Sequence, residues 1–240
     1  ITSRFQFLRL ENLARTIKTI FIISWLYVSS SIKGKRNTYP NPIRLTFELA
    51  MKKLRSMIVA MKYYENPAKE EPYGFFPLQL EPEVANVVLS PYYIDQIELA
   101  RHAAKSLPVG FKLYVKEHPM MRGVRKLSYY RKLKQIPNVR LIDDTIPALD
   151  LLKKSKIILN NVSTVGWEAL LLRKPVITFG NIFYNSLSFV KKCSVIEDLP
   201  HLVKNLLESK QDHDKELLCF VSALFKDSTN FNFIKFLYKP

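Results

Sequence analysis

Four short runs of apolar, mostly β-branched residues recur through the middle of the chain, at Leu113–Val115, Val139–Ile142, Ile157–Leu159 and Val176–Phe179, and each ends in polar or turn-forming residues. Continuous runs of this length suit strands buried on both faces of a parallel sheet. An aromatic stretch, Tyr73–Leu80, precedes them and reads as a further strand. Helical patterns fill the intervals: Tyr92–Leu107, with Ile94, Ile97, Ala100, Ala103 and Ala104 on its apolar side; Arg122–Lys134, ending before Pro137; Ile146–Lys154; and Trp167–Leu172, stopped by Arg173-Lys174-Pro175. A short last strand is predicted at Val195-Ile196 and a helix at Pro200–Ser209. This alternation predicts an α/β fold, a Rossmann-like parallel sheet with flanking helices.

Upstream of the sheet the pattern changes. Residues 1–33 are predicted helical, Gly34–Pro42 is a break rich in turn formers, and Ile43–Tyr64 forms an amphipathic helix with Leu45, Leu49, Leu54, Ile58 and Met61 near one stripe. Glu65–Pro72 is a polar link. The chain therefore divides into a basic helical arm, 1–64, an α/β domain, 73–209, and closing helices, 210–240.

Charge sharpens this division. Of the formal +16, residues 1–64 contribute +10, from 12 Lys/Arg against 2 Asp/Glu. Such an arm favours anionic partners, and its helix suits either packing on the main domain or lying on an anionic membrane surface. Nucleic acid is not expected, because no recognition fold accompanies the charge. Thr19–Ile32 is uncharged but only 14 residues long, short of the roughly 20 needed to cross a bilayer. Cys193 and Cys219 form neither a CxxC nor a metal-ligand pattern. The setting expected is cytoplasmic, peripheral on the inner face of the membrane.

Candidate chemistry gathers at two turns. Ser163-Thr164-Val165-Gly166 comes after the third run and opens the Trp167 helix, so hydroxyls and free N–H groups meet at a helix N-terminus, which favours phosphate. His118 lies just past the first run, held extended by Pro119. Ligands of open α/β sheets sit beyond the carboxyl ends of strands, which places His118, Ser163 and Thr164 at one crevice. Lys116 and Glu117 alternate at the same strand end, so one of the two is expected to face it. Glu168, on the first turn of the helix, is a candidate ribose ligand. Asp143-Asp144 is an adjacent pair whose side chains diverge on a strand, and no metal is required.

Phe76-Pro77-Leu78-Gln79-Leu80-Glu81-Pro82-Glu83, Tyr114-Val115-Lys116-Glu117-His118-Pro119, Ser163 to Ala169 and Lys174 to Gly180 together resemble the capsule or surface polysaccharide biosynthesis proteins, GT-B-like glycosyltransferases related to bacterial Kdo transferases. The resemblance covers about residues 73–207. It implies the C-terminal, nucleotide-sugar-binding lobe of a two-lobed GT-B-type transferase, with His118 and Glu83 as catalytic residues and Gln79 and Glu81 beside them as donor ligands; Lys116, Ser163, Thr164 and Glu168, read from the residues themselves, are the other expected donor ligands. Gln79 and Glu81 stand where relatives carry His and Gln. The implied partners are a CMP- or UDP-linked nucleotide-sugar, with no further cofactor, and a glycan or lipid-linked acceptor. Because the chain starts at Ile1, a fragment is expected, with the acceptor lobe and general base upstream. Two other readings stay open: a nucleotide-sugar epimerase-like enzyme, and a non-catalytic module that binds membrane or anionic polymer.

Overall fold

The computed structural model describes residues 10–32, 40–68, 70–209 and 213–228. Six strands form one wholly parallel sheet: β1 (Tyr73–Pro77), β2 (Lys112–Lys116), β3 (Val139–Ile142), β4 (Ile157–Asn160), β5 (Val176–Thr178) and β6 (Lys191–Lys192). Their order across the sheet is β3-β2-β1-β4-β5-β6, the doubly wound order of Rossmann folds. The helices are α1 (Leu10–Ile32), α2 (Pro42–Lys62), α3 (Val84–Leu89), α4 (Gln96–Ser106), α5 (Leu127–Lys134), α6 (Ala148–Lys154), α7 (Thr164–Leu171), α8 (Leu199–Glu208) and α9 (Asp214–Asp227).

Strand alternation feeds two cores. Phe76, Leu113, Val115, Leu141, Leu159 and Ile177 pack with Val59 of α2 and with α4, α5 and α8 on one face. Phe75, Tyr114, Ile142, Ile158 and Val176 pack with α6, α7 and Leu217 of α9 on the other. Burial on both faces explains why the inner strands read as mainly apolar runs, while the edge strand β6, Lys191–Lys192, is exposed and does not.

Several boundaries differ from the sequence reading, each for a local reason. β1 stops at Pro77 instead of Leu80 because Gln79 leaves the ladder: its N–H donates to Gln96 Oε1 at 2.6 Å, and its carbonyl accepts from Arg125 Nη2 at 2.6 Å. α4 starts at Gln96 instead of Tyr92, since Asp95 caps the N–H groups of Ile97 and Glu98; Pro91–Tyr93 is a separate 3₁₀ turn. α5 is shorter than Arg122–Lys134 because Gly123 sits at φ +71°, a turn geometry that suits glycine. α7 starts at Thr164, so the predicted turn is largely the first turn of the helix. The last strand lies at Lys191–Lys192, and Val195-Ile196 instead leads into the 3₁₀ turn Ile196–Asp198. α3 was not anticipated.

The arm docks through the second half of α2. Ser56, Val59 and Ala60 are buried, and Ser56 Oγ accepts from Arg122 Nε at 3.0 Å. The helical expectation for 1–33 can be compared only over residues 10–32, and that for 210–240 only over 213–228; the rest of both, and most of the predicted break at 34–42, lies outside the described residues. Among the described residues, no helix is long and apolar enough to cross a membrane.

Candidate functional site

The sheet changes winding direction between β1 and β4, and a cleft opens beyond their carboxyl ends. About 240 Å³ in volume, it is formed by the segments leaving β1 (Leu78, Gln79, Leu80, Glu83), β2 (Glu117, His118, Pro119) and β4 (Val162 to Val165), with Lys116 at the end of β2. Six of the sequence-predicted residues thus share one cavity: Gln79, Glu83, Lys116, His118, Ser163 and Thr164. Glu81 and Glu168 are not in its lining. Glu81 is drawn behind the cleft, where it accepts from Gln96 Nε2 and, at 3.3 Å, from Arg125 Nε. Glu168 is exposed on α7.

His118 is positioned by its neighbours on both sides. Its N–H donates to Glu117 Oε1 at 2.9 Å, and its Nδ1 accepts from Met120 N–H at 3.2 Å, capping the 3₁₀ turn Pro119–Met121. A neutral imidazole with Nδ1 accepting carries its proton on Nε2, so the ring presents a donor.

Ser163 is the N-cap of α7, its Oγ accepting from Val165 N–H at 3.1 Å. The turn is braced from below. Tyr184 Oη donates to Ser163 O at 2.7 Å and accepts from Asn160 Nδ2 at 2.6 Å. Gly166 lies over this pair, and a Cβ there would collide with Tyr184 Oη and come within 2.6 Å of Asn160 Nδ2. Thr164 stands exposed at the helix start.

Lys116 is held by the segment after β3: its Nζ donates to the Asp144 carbonyl at 2.9 Å. Burial pushes its pKa down, opposed by the charges of Asp144, Asp143 and Glu117. Asp144 in turn is pushed up to about 6, by burial first, against the pull of Arg122, which lies 3.1 Å from its Oδ1.

Strand alternation predicts that only Lys116 or Glu117 faces the cleft, yet both line it, because β2 ends at Lys116 and the chain turns there. The Glu117 carboxylate is nevertheless committed elsewhere. It accepts from Arg125 Nη1 and, at 2.8 Å, from Tyr130 Oη. Arg125 is as deeply placed, its side chain 3% exposed and lying 4.7 Å over the Tyr129 ring. This buried network links β1, β2 and α5 behind the cleft. Sequence reasoning missed it, since Arg125 stands in a basic stretch that gives no sign of burial; the one available signal was a glutamate placed next to an apolar strand.

Gln79 completes the site. The residue is 5% exposed, and neither Nε2 nor Oε1 of its carboxamide has a partner. Buried amides are normally satisfied, and leaving one unpaired costs about 1–3 kcal/mol. Glu83, the N-cap residue of α3, makes no capping bond with its side chain. Among the described residues, no group of three His, Cys, Asp or Glu side chains could hold a metal ion.

A family model described as capsule polysaccharide biosynthesis protein matches residues 27–193. Among solved structures, similarity extends to the KpsC beta Kdo 2,7 transferase of Thermosulfurimonas dismutans (17% identity, TM-score 0.45, 76% of this chain and 56% of that one). The KpsC beta Kdo 2,4 transferase of the same organism is also similar (21% identity, TM-score 0.44, 70% and 56%), as is MnaA of S. aureus, solved with UDP (14% identity, TM-score 0.43, 73% and 54%). The chain spans about half the length of these solved chains. No protein of curated function matches it.

Proposed function

Because the chain belongs to the capsule polysaccharide biosynthesis protein family, we propose that its cleft is the donor site of a glycosyltransferase, which takes the phosphate end of a CMP- or UDP-linked nucleotide-sugar and passes the sugar to a glycan or lipid-linked acceptor. The observation that carries this reading is the one cavity, beyond the carboxyl ends of β1, β2 and β4, that His118, Lys116 and the N-terminus of α7 line together. Three kinds of cationic or N–H donor lining one cavity suit an anion.

In the reaction, the bond from the anomeric carbon to the phosphate oxygen breaks, and negative charge builds on the leaving phosphate. His118 Nε2–H, the Lys116 ammonium and the free N–H groups at the start of α7 stabilise that charge, and their fixed orientation means that little reorganisation is needed as it develops. Thr164 Oγ1 adds a further donor at the open side. Glu83 and Gln79 hold hydroxyls of the donor. The proton of the acceptor hydroxyl passes to a base. At about 240 Å³ the cleft is smaller than typical small-ligand sites; it suits the phosphate and the adjoining ring, with the rest of the donor outside.

Calorimetric titration of the chain with CMP and UDP tests this. Saturable binding, weakened about tenfold or more in His118→Ala through the loss of a charge-assisted bond, is the expected result. No binding of either nucleotide, or equal binding by the variant, overturns the assignment.

A second element of the proposal concerns the arm, which rests on an anionic membrane surface. Ile17, Phe21, Trp25, Val28 and Ile32 recur along one face of α1 and are between 53 and 80% exposed. The +10 charge of residues 1–64 disfavours covering this stripe with a second copy and favours acidic head groups. Co-sedimentation with phosphatidylglycerol-containing vesicles, lost in Phe21→Glu/Trp25→Glu and weak with phosphatidylcholine alone, is expected. Equal binding by that variant removes the stripe from the interface.

A further inference from the structure

The end of the sheet remote from the cleft carries a pair of like charges that the fold does not neutralise. β4 and β5 pair in parallel with Ile158 opposite Val176. Lys156 lies just before β4 and Lys174 just before β5, so extending that register by two residues brings them side by side at the strand-entry edge, where both line one cavity. Two like charges held close together repel. The Lys174 ammonium is accordingly pushed below its ordinary value, by burial first and by the charge of Lys156 second. Among the described residues, neither lysine side chain makes a salt bridge or hydrogen bond. Arg173, beside them, is neutralised: its Nε and Nη2 donate to Asp214 Oδ1 and Oδ2 at 2.5 and 2.8 Å, which occupies both oxygens of that carboxylate. The C-terminus of α7, at Leu171, offsets about half a charge, against two on the lysines.

Both lysines line a cavity of about 440 Å³ that the Arg173–Asp214 pair also lines, and about half of whose wall is apolar, with Leu170, Pro175, Phe189, Leu206 and Leu217. His213 closes one side, its ring stacked on Phe189 at 4.3 Å. The volume falls in the ordinary range for small-molecule sites. Lys156 stands before the first residue of β4, and the cleft begins at Val162 beyond its end, which separates the two by on the order of 20 Å of extended chain.

From this geometry we propose a second binding site at the strand-entry edge of the sheet, which takes a phosphomonoester carried on an apolar body. The phosphate sits between Lys156 and Lys174 and relieves their repulsion, while the apolar part fills the pocket against Leu170, Phe189 and Leu217. Neither half alone accounts for the cavity. A bare anion leaves the apolar walls in contact with water, and a neutral apolar guest leaves the two ammonium groups unpaired.

Calorimetric titration with n-octyl phosphate, n-octyl glucoside and inorganic phosphate distinguishes these cases. Octyl phosphate is expected to bind saturably and to raise the melting temperature. Its affinity is expected to fall about tenfold or more in Lys156→Met/Lys174→Met, as charge-assisted hydrogen bonds are lost, and nucleotide binding at the remote cleft stays unchanged in that variant. Removing one like charge also makes the unliganded protein melt higher in Lys174→Met, which keeps a folded variant for the comparison. Octyl glucoside binding as tightly as octyl phosphate overturns the proposal, and so does inorganic phosphate doing so. Undiminished octyl phosphate binding by the double variant also overturns it, as does a lack of binding by the unaltered chain.

Discussion

Replacing Arg125 with methionine removes one side of the buried charge pair behind the cleft while keeping most of its volume. Glu117, 1% exposed, then retains two donors, Tyr130 Oη at 2.8 Å and the His118 N–H at 2.9 Å, and loses its counter-charge. Breaking a buried pair from one side costs about 3–5 kcal/mol, and the two remaining donors set the expectation at about 3 kcal/mol. Changing Glu117 to glutamine as well removes the stranded charge and recovers part of this. The double variant should therefore be more stable than Arg125→Met alone, by about 1–2 kcal/mol. Urea unfolding followed by circular dichroism on the four members of this cycle measures the coupling. A loss below about 1 kcal/mol in Arg125→Met, or strictly additive losses, would refute a charge pair that depends on both members. The Gln79 carbonyl also accepts from Arg125, so the same single variant loosens the segment leaving β1 and weakens nucleotide binding.

Other perturbations separate stability from ligand binding. Gln79→Leu replaces an unpartnered buried amide with an apolar side chain; its folding stability should equal or exceed that of the parent, by up to about 1–2 kcal/mol, while calorimetry shows nucleotide binding weakened. Gly166→Ala drives a methyl into Tyr184 and Asn160; a loss of about 1–3 kcal/mol, seen as a lower melting temperature, is expected, and an unchanged melt would mean that the Ser163 turn is not braced as described. Asp144, pushed up to about 6 by burial, binds a proton more tightly in the fold than in the unfolded chain, so its contribution falls as pH rises from about 4 to about 6. Relative to the parent, Asp144→Asn should therefore gain about 2 kcal/mol between pH 4.5 and pH 7, at about 1.4 kcal/mol per pH unit; equal urea midpoints for the two proteins at both pH values would exclude this.

The sheet was legible because strands covered on both faces leave apolar runs, as at Leu113–Val115 and Ile157–Leu159, and the order of motifs carried the doubly wound arrangement. The meeting of His118 with Ser163 and Thr164 was legible for the same reason, since all three follow strand ends of one parallel sheet. Features set by distant side chains were not. The early end of β1 depends on Gln96 and Arg125, which lie 17 and 46 positions from Gln79. The withdrawal of Glu81 from the cleft has the same origin. Nor does the pattern around Tyr184 announce that its hydroxyl supports a turn 21 residues earlier. The Lys156 and Lys174 pair was invisible until the register of β4 and β5 set them side by side.

The central position of β1 has a consequence for synthesis. Tyr73–Pro77 is flanked by β2 and by β4, and its second neighbour is made only when the chain has grown past Ile158. Until then Gly74 and Phe75 present unpaired backbone along an apolar ribbon, the kind of exposed edge that recruits foreign strands. Truncations ending before β4 should therefore accumulate as aggregates, whereas those ending after β5 should stay dispersed, a contrast that ultracentrifugation of nested fragments would display.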